Sequence, residues 1–94
     1  MFKGTKYVTK GVQSKIPAEL QSFMCMCVLA LPKPADYLQI FRLYYSAGKQ
    51  KIIHEQEQTE YKRKHILNFP NPVTAKVYVI DDGDHCTMLL AEEY

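Results

Sequence analysis

Tyr37-Leu-Gln-Ile-Phe-Arg-Leu-Tyr-Tyr-Ser46, followed by Ala47-Gly-Lys49 and then Lys51-Ile-Ile-His-Glu-Gln-Glu57, decides how this chain folds. The first stretch is rich in aromatic and branched residues and carries large side chains at odd and even positions alike. That pattern suits a central strand covered on both faces. Ser46-Ala-Gly-Lys49 supplies the glycine of a short hairpin turn, and residues 51–57 return as the neighbouring strand.

On the N-terminal side, residues 5–13 have the β-branched and aromatic content of a strand, with Gly11 marking its weakening or a bulge. Pro17 suits the first position of a helix and Glu19 its positive first turn. The helix is expected from residue 17 to about 31, ending before Pro32 and Pro34. Leu20, Phe23, Met24, Cys27 and Leu31 fall on one stripe and are expected to face the sheet, whereas Cys25, Met26 and Leu29 fall largely off it. On the C-terminal side, residues 61–67 read as a strand or, failing that, one helical turn, and Asn68-Phe-Pro-Asn-Pro72 as a loop. Residues 75–80 and 86–92 form a last hairpin around Asp81-Asp-Gly-Asp84. The expected fold class is α+β: one helix packed on a mostly antiparallel sheet of about six strands, in a single domain spanning residues 1–94.

A formal net charge of +2 over 94 residues gives no general attraction to nucleic acid or an anionic membrane. The charge is nonetheless uneven. Lys3, Lys6, Lys10 and Lys15 stand near one end without an acid, and Asp81, Asp82, Asp84, Glu92 and Glu93 near the other without a base. The two ends are expected to lie close and neutralise through exposed pairs; the sharper alternative is a bipolar surface that orients a partner. No apolar run near the start reads as a secretory leader, and the longest apolar stretch, residues 23–31, is about half of what a bilayer span needs. Three cysteines, two of them crowded at 25 and 27, argue against a disulfide framework. A soluble, cytoplasmic protein without a membrane partner is expected.

Candidate chemistry is sparse. Asp81, Asp82, Asp84 and His85 invite a cation site or a metal-assisted enzyme, but Cys86 stands where a calcium loop needs its glycine, and Asp and Gly are what a tight turn selects. Cys25 and Cys27 point about 200° apart on a helix and cannot hold one ion. His54, His65 and His85 follow no ligand or acid–base spacing. No catalytic residue, metal or cofactor is expected, and the chain does not read as an enzyme.

Several blocks carry a resemblance. Tyr7-Val-Thr-Lys-Gly-Val12, Ile16-Pro-Ala-Glu-Leu-Gln21, Asp36-Tyr-Leu-Gln-Ile-Phe41, Gln50-Lys-Ile-Ile-His-Glu-Gln-Glu57, Val79-Ile-Asp-Asp-Gly-Asp84 and Met88-Leu-Leu-Ala-Glu-Glu-Tyr94 follow one another as in the small bacterial and phage proteins called domain of unknown function 960. The resemblance covers essentially the whole chain. It implies a stand-alone cytoplasmic domain of Gram-positive bacteria or their phages, and it brings no activity, cofactor or catalytic residue with it.

Binding is therefore the expected mode of action. A protein partner or self-association is expected through Met26, Leu29, Tyr44 and Tyr45, because tyrosine offers contact area with a polar tip and methionine adapts to irregular surfaces. The alternative is single-stranded nucleic acid held by Arg42, Lys62, Arg63 and Lys64. Strand alternation counts against it, because it sends Lys62 and Lys64 to one face and Arg63 to the other.

Overall fold

A computed structural model describes residues 4–94; Lys3, counted in the charge asymmetry, lies outside them. The chain runs β1 (Thr5–Val8), α1 (Lys10–Lys15), α2 (Ala18–Leu29), β2 (Leu38–Ser46), β3 (Lys49–Gln56), β4 (Lys62–Leu67), β5 (Ala75–Asp81) and β6 (His85–Leu90), closing on a 3₁₀ turn, Ala91–Glu93. The strands form one sheet in the order β1-β6-β5-β2-β3-β4. β2 is central, as its two-faced apolar pattern predicts. Four pairings are antiparallel, and β1 lies parallel to β6 with Lys6 opposite Cys86. The α+β class and the mostly antiparallel sheet hold, with this parallel pair as the exception.

Two helices replace the single one expected. The strand read over residues 5–13 stops at Val8, because Thr9 caps a new helix: its hydroxyl accepts a hydrogen bond from the Val12 amide (3.3 Å). Gly11 thus sits in α1 and marks no bulge. Glu19 stands in the first turn of α2, as the sequence indicates, but Pro17 is its N-cap rather than its first helical residue, and the helix ends at Leu29, short of the expected residue 31. Ala47 and Gly48 both take positive φ (52° and 75°), the two-residue turn whose twist matches an antiparallel hairpin. The β3–β4 connection is fastened by Asp36, whose carboxylate accepts from the amides of Gln58 (2.5 Å) and Thr59 (2.7 Å) and from the Thr59 hydroxyl (2.7 Å).

Val12, Ile16, Leu20, Met24 and Val28 recur every fourth residue across both helices and belong to one buried cluster with Phe41, Leu43, Ile52, Val77, Val79 and Met88. Burying side chains of this size contributes about 1.5–3 kcal/mol each. The buried line Leu20–Met24–Val28 is turned by about 40° from the predicted stripe. Phe23, Cys25, Cys27 and Leu31 flank the core, partly buried.

The expectation of cover on both faces of β2 is met only at its start, where Leu38 and Gln39 are both buried. Phe41 and Leu43 face the helices, but Arg42, on the opposite face, is exposed, and its neighbours Ile40 and Tyr44 are half-buried. The two ends of the chain do lie together through β1 and β6. Their link is a hydrogen bond from the Thr9 hydroxyl to Glu93 (2.6 Å), and among the described residues no lysine of the first segment is within ion-pair distance of an acid.

Candidate functional site

Cross-strand register assembles a basic patch on the sheet face opposite the helices. Lys76 of β5, Arg42 of β2, Ile53 of β3 and Lys64 of β4 stand in one row across four strands. The next row holds Tyr78, Ile40, Glu55 and Lys62, and the row on the other side Tyr44, Lys51 and Ile66. Lys49 stands at the margin, with its ammonium hydrogen-bonded to the Asn68 side chain. Six basic side chains thus share this part of the face with one acid, Glu55.

Glu55 records their proximity. Its carboxylate accepts a hydrogen bond from Arg42 Nε at 2.8 Å, and its pKa is lowered first by that bond and then, with burial opposing, by the fields of Arg42, Lys62 and Lys76. Tyr78 lies beneath Lys76, whose ammonium is 5.5 Å from the ring centroid, and meets the ring of Tyr94 edge-on at 5.4 Å. The face therefore presents cations around half-buried rings and isoleucines.

Of the residues singled out for nucleic acid, Arg42, Lys62 and Lys64 are brought together here. Arg63 is not: it points to the helix side opposite His54, with its guanidinium 4.9 Å from the Tyr61 ring centroid. Lys49, Lys51, Lys76 and Tyr78 were not signalled as site residues by the sequence. The two-residue turn fixes Tyr44 opposite Lys51, so Lys51 was within reach of sequence reasoning. Lys76 joins only because β5 pairs with β2, which no local pattern reveals.

The four residues expected to hold a protein partner are divided. Tyr44 lies on the basic face. Tyr45 points to the opposite side at the end of the hairpin and is 57% exposed. Met26 and Leu29, 68% and 51% exposed, share the outer side of α2. They are solvent-facing side chains, but they do not join the tyrosines in one surface.

A family model described as a staphylococcal protein of unknown function (DUF960) matches residues 5–93. The chain belongs to the DUF960 family. It is also similar to the crystal structure of a protein of unknown function from Enterococcus faecalis, with a TM-score of 0.86 and 25% identity over 97% of this chain and 91% of that one. No curated protein matches it.

In this DUF960 protein the acidic turn is built as a turn. Gly83 has φ 94°, its amide donates to Asp81 Oδ1 (3.1 Å), and His85 Nε2 lies 3.2 Å from Asp82. Among the described residues no three His, Cys, Asp or Glu side chains converge as a metal site. Cys27 lies 3.8 Å from His65 Nε2, but burial pushes its thiol up to about 11, so it stays protonated at neutral pH. No helix of the described residues is long and apolar enough to cross a membrane.

Proposed function

We propose that this protein acts by binding and that the open sheet face is its surface for single-stranded nucleic acid. The row Lys76–Arg42–Ile53–Lys64, bordered by Tyr78 and Tyr44, carries the reading. Exposed cations spaced over four strands track phosphates, and half-buried rings between them offer flat surfaces for unstacked bases. Arg42 is held in place by Glu55, which leaves its remaining guanidinium N–H groups to a ligand. The small net charge of the whole chain is no obstacle, because the rows themselves set their cations against one acid, Glu55.

Fluorescence anisotropy of labelled single-stranded DNA and RNA, titrated at several salt concentrations, tests this. Three to five phosphate contacts give a slope of log K against log salt of about −2 to −3.5. Absence of binding at low salt, or binding indifferent to salt, would refute the proposal. Equal competition by polyglutamate would refute the nucleic-acid assignment and move it to an acidic protein.

A further inference from the structure

We infer that the cleft between α2 and β4 is a second binding site, built for a small aromatic carboxylate that carries an O–H or N–H donor. The cleft has a volume of about 310 Å³, near the lower end for small-molecule sites. Phe23, Met26, Ala30 and Tyr61 contribute apolar and aromatic walls, and His54, Arg63 and His65 also line it.

The donor requirement comes from His54, which is 1% exposed. Its Nε2 lies 2.7 Å from Gln39 Oε1. Gln39 uses its amide nitrogen on the Asp36 carbonyl (2.8 Å) and on Gln56 Oε1 (3.1 Å), so its oxygen is an acceptor and His54 Nε2 carries the proton. Nδ1, across the ring from that bond, is therefore a bare acceptor. It is buried and has no partner, alone in this among the described side chains. Such an atom costs free energy until a donor reaches it. Burial, reinforced by His65, depresses the His54 pKa to about 4, so the ring does not relieve this by taking a proton at neutral pH. The carboxylate requirement comes from Arg63, which stacks over Tyr61 and has no acidic partner within 4 Å among the described residues. The aromatic requirement comes from the wall itself, where Phe23 stands edge-on to His65 (5.0 Å between centroids) and Tyr61 edge-on to His54 (5.1 Å).

The test is a titration of the ¹⁵N-labelled protein with 4-hydroxyphenylacetate, following the imidazole nitrogens. The His54 Nδ1 signal is expected to move towards the hydrogen-bonded position. Phenylacetate, which lacks the donor, is expected to bind about tenfold more weakly. Arg63→Gln is expected to weaken 4-hydroxyphenylacetate by a similar factor. Substitution at His54 breaks the Gln39 contact as well, so Ala30→Trp, at an exposed position lining the cleft, is the decisive variant: it keeps the fold and abolishes binding. An Nδ1 signal unmoved at millimolar probe, binding retained in Ala30→Trp, or an Nδ1 already hydrogen-bonded to resident water in the free protein would overturn the inference.

Discussion

His54 faces the core from β3, stacked on Phe41 at 4.2 Å between ring centroids, and its buried position holds the ring neutral. The consequence is a pH-dependent stability of definite sign. The unfolded chain takes up a proton near the ordinary histidine pKa of about 6.5, whereas the folded chain does so only near 4. Between these values the unfolded state binds more protons, so folding stability is complete above the upper value and falls as the pH drops through the window. The loss is roughly 3 kcal/mol if the whole shift is expressed. Urea denaturation at a series of pH values checks it; His54→Phe, where it folds, removes most of that slope. A second residue-scale case is Gly11. Alanine there ordinarily stabilises a helix by about 0.5–1 kcal/mol. Here the added Cβ would stand 2.7 Å from the Glu93 carboxylate, which accepts from Thr9 and from the Leu90 amide (2.8 Å). Gly11→Ala is therefore expected to lower stability in the native chain and to raise it by about 0.5–1 kcal/mol in a Glu93→Ala background. Thermal melts of the four proteins in this cycle decide it.

Helix α2 is apolar almost all round, and that is why its buried side was only partly legible. Leu20 and Met24 were evident as core positions, but Val28 also enters the core while Leu31 and Cys27 stay at its margin. The exposed Met26 and Leu29 follow from the same rotation. Met24→Ala is expected to cost about 2–5 kcal/mol, since Met24 is fully buried. The double substitution Met26→Glu with Leu29→Glu is expected to change stability by about 0.5 kcal/mol or less, as surface changes do. Chemical denaturation of the two variants distinguishes the faces. The strands were more legible than the helices. β2, the Ala47–Gly48 turn and the β5–β6 hairpin each carry their own local signal. Helix α1 does not, because it is short and its N-cap is completed by Glu93 from the other end of the sequence. A contact between residues so far apart leaves no periodic trace.

At the scale of the whole molecule, the sheet separates the two proposed binding surfaces. Alternation separates Arg63 from Lys62 and Lys64, which would weaken a patch confined to one strand. The sheet order restores it, because β5, β2, β3 and β4 each add cations to the same side; that order was not readable from the sequence, so neither was the site. Neighbouring residues of β4 consequently belong to different surfaces, and this is open to a direct test. Lys64→Glu places an acid in the row with Lys76 and Arg42, so it is expected to weaken single-stranded oligonucleotide binding and to reduce the salt slope by about 0.7 for the lost phosphate contact. Arg63→Glu makes the same change of charge one residue away, on the side facing His54. It is expected to leave the salt slope of oligonucleotide binding unchanged and to abolish binding of 4-hydroxyphenylacetate, whose carboxylate it would repel. Parallel anisotropy and NMR titrations of both variants read the two surfaces separately. Equal loss of oligonucleotide binding in the two would mean that net charge alone governs it, and the face would then have no special role. Loss confined to Lys64→Glu requires the side chains of one sheet face to act together.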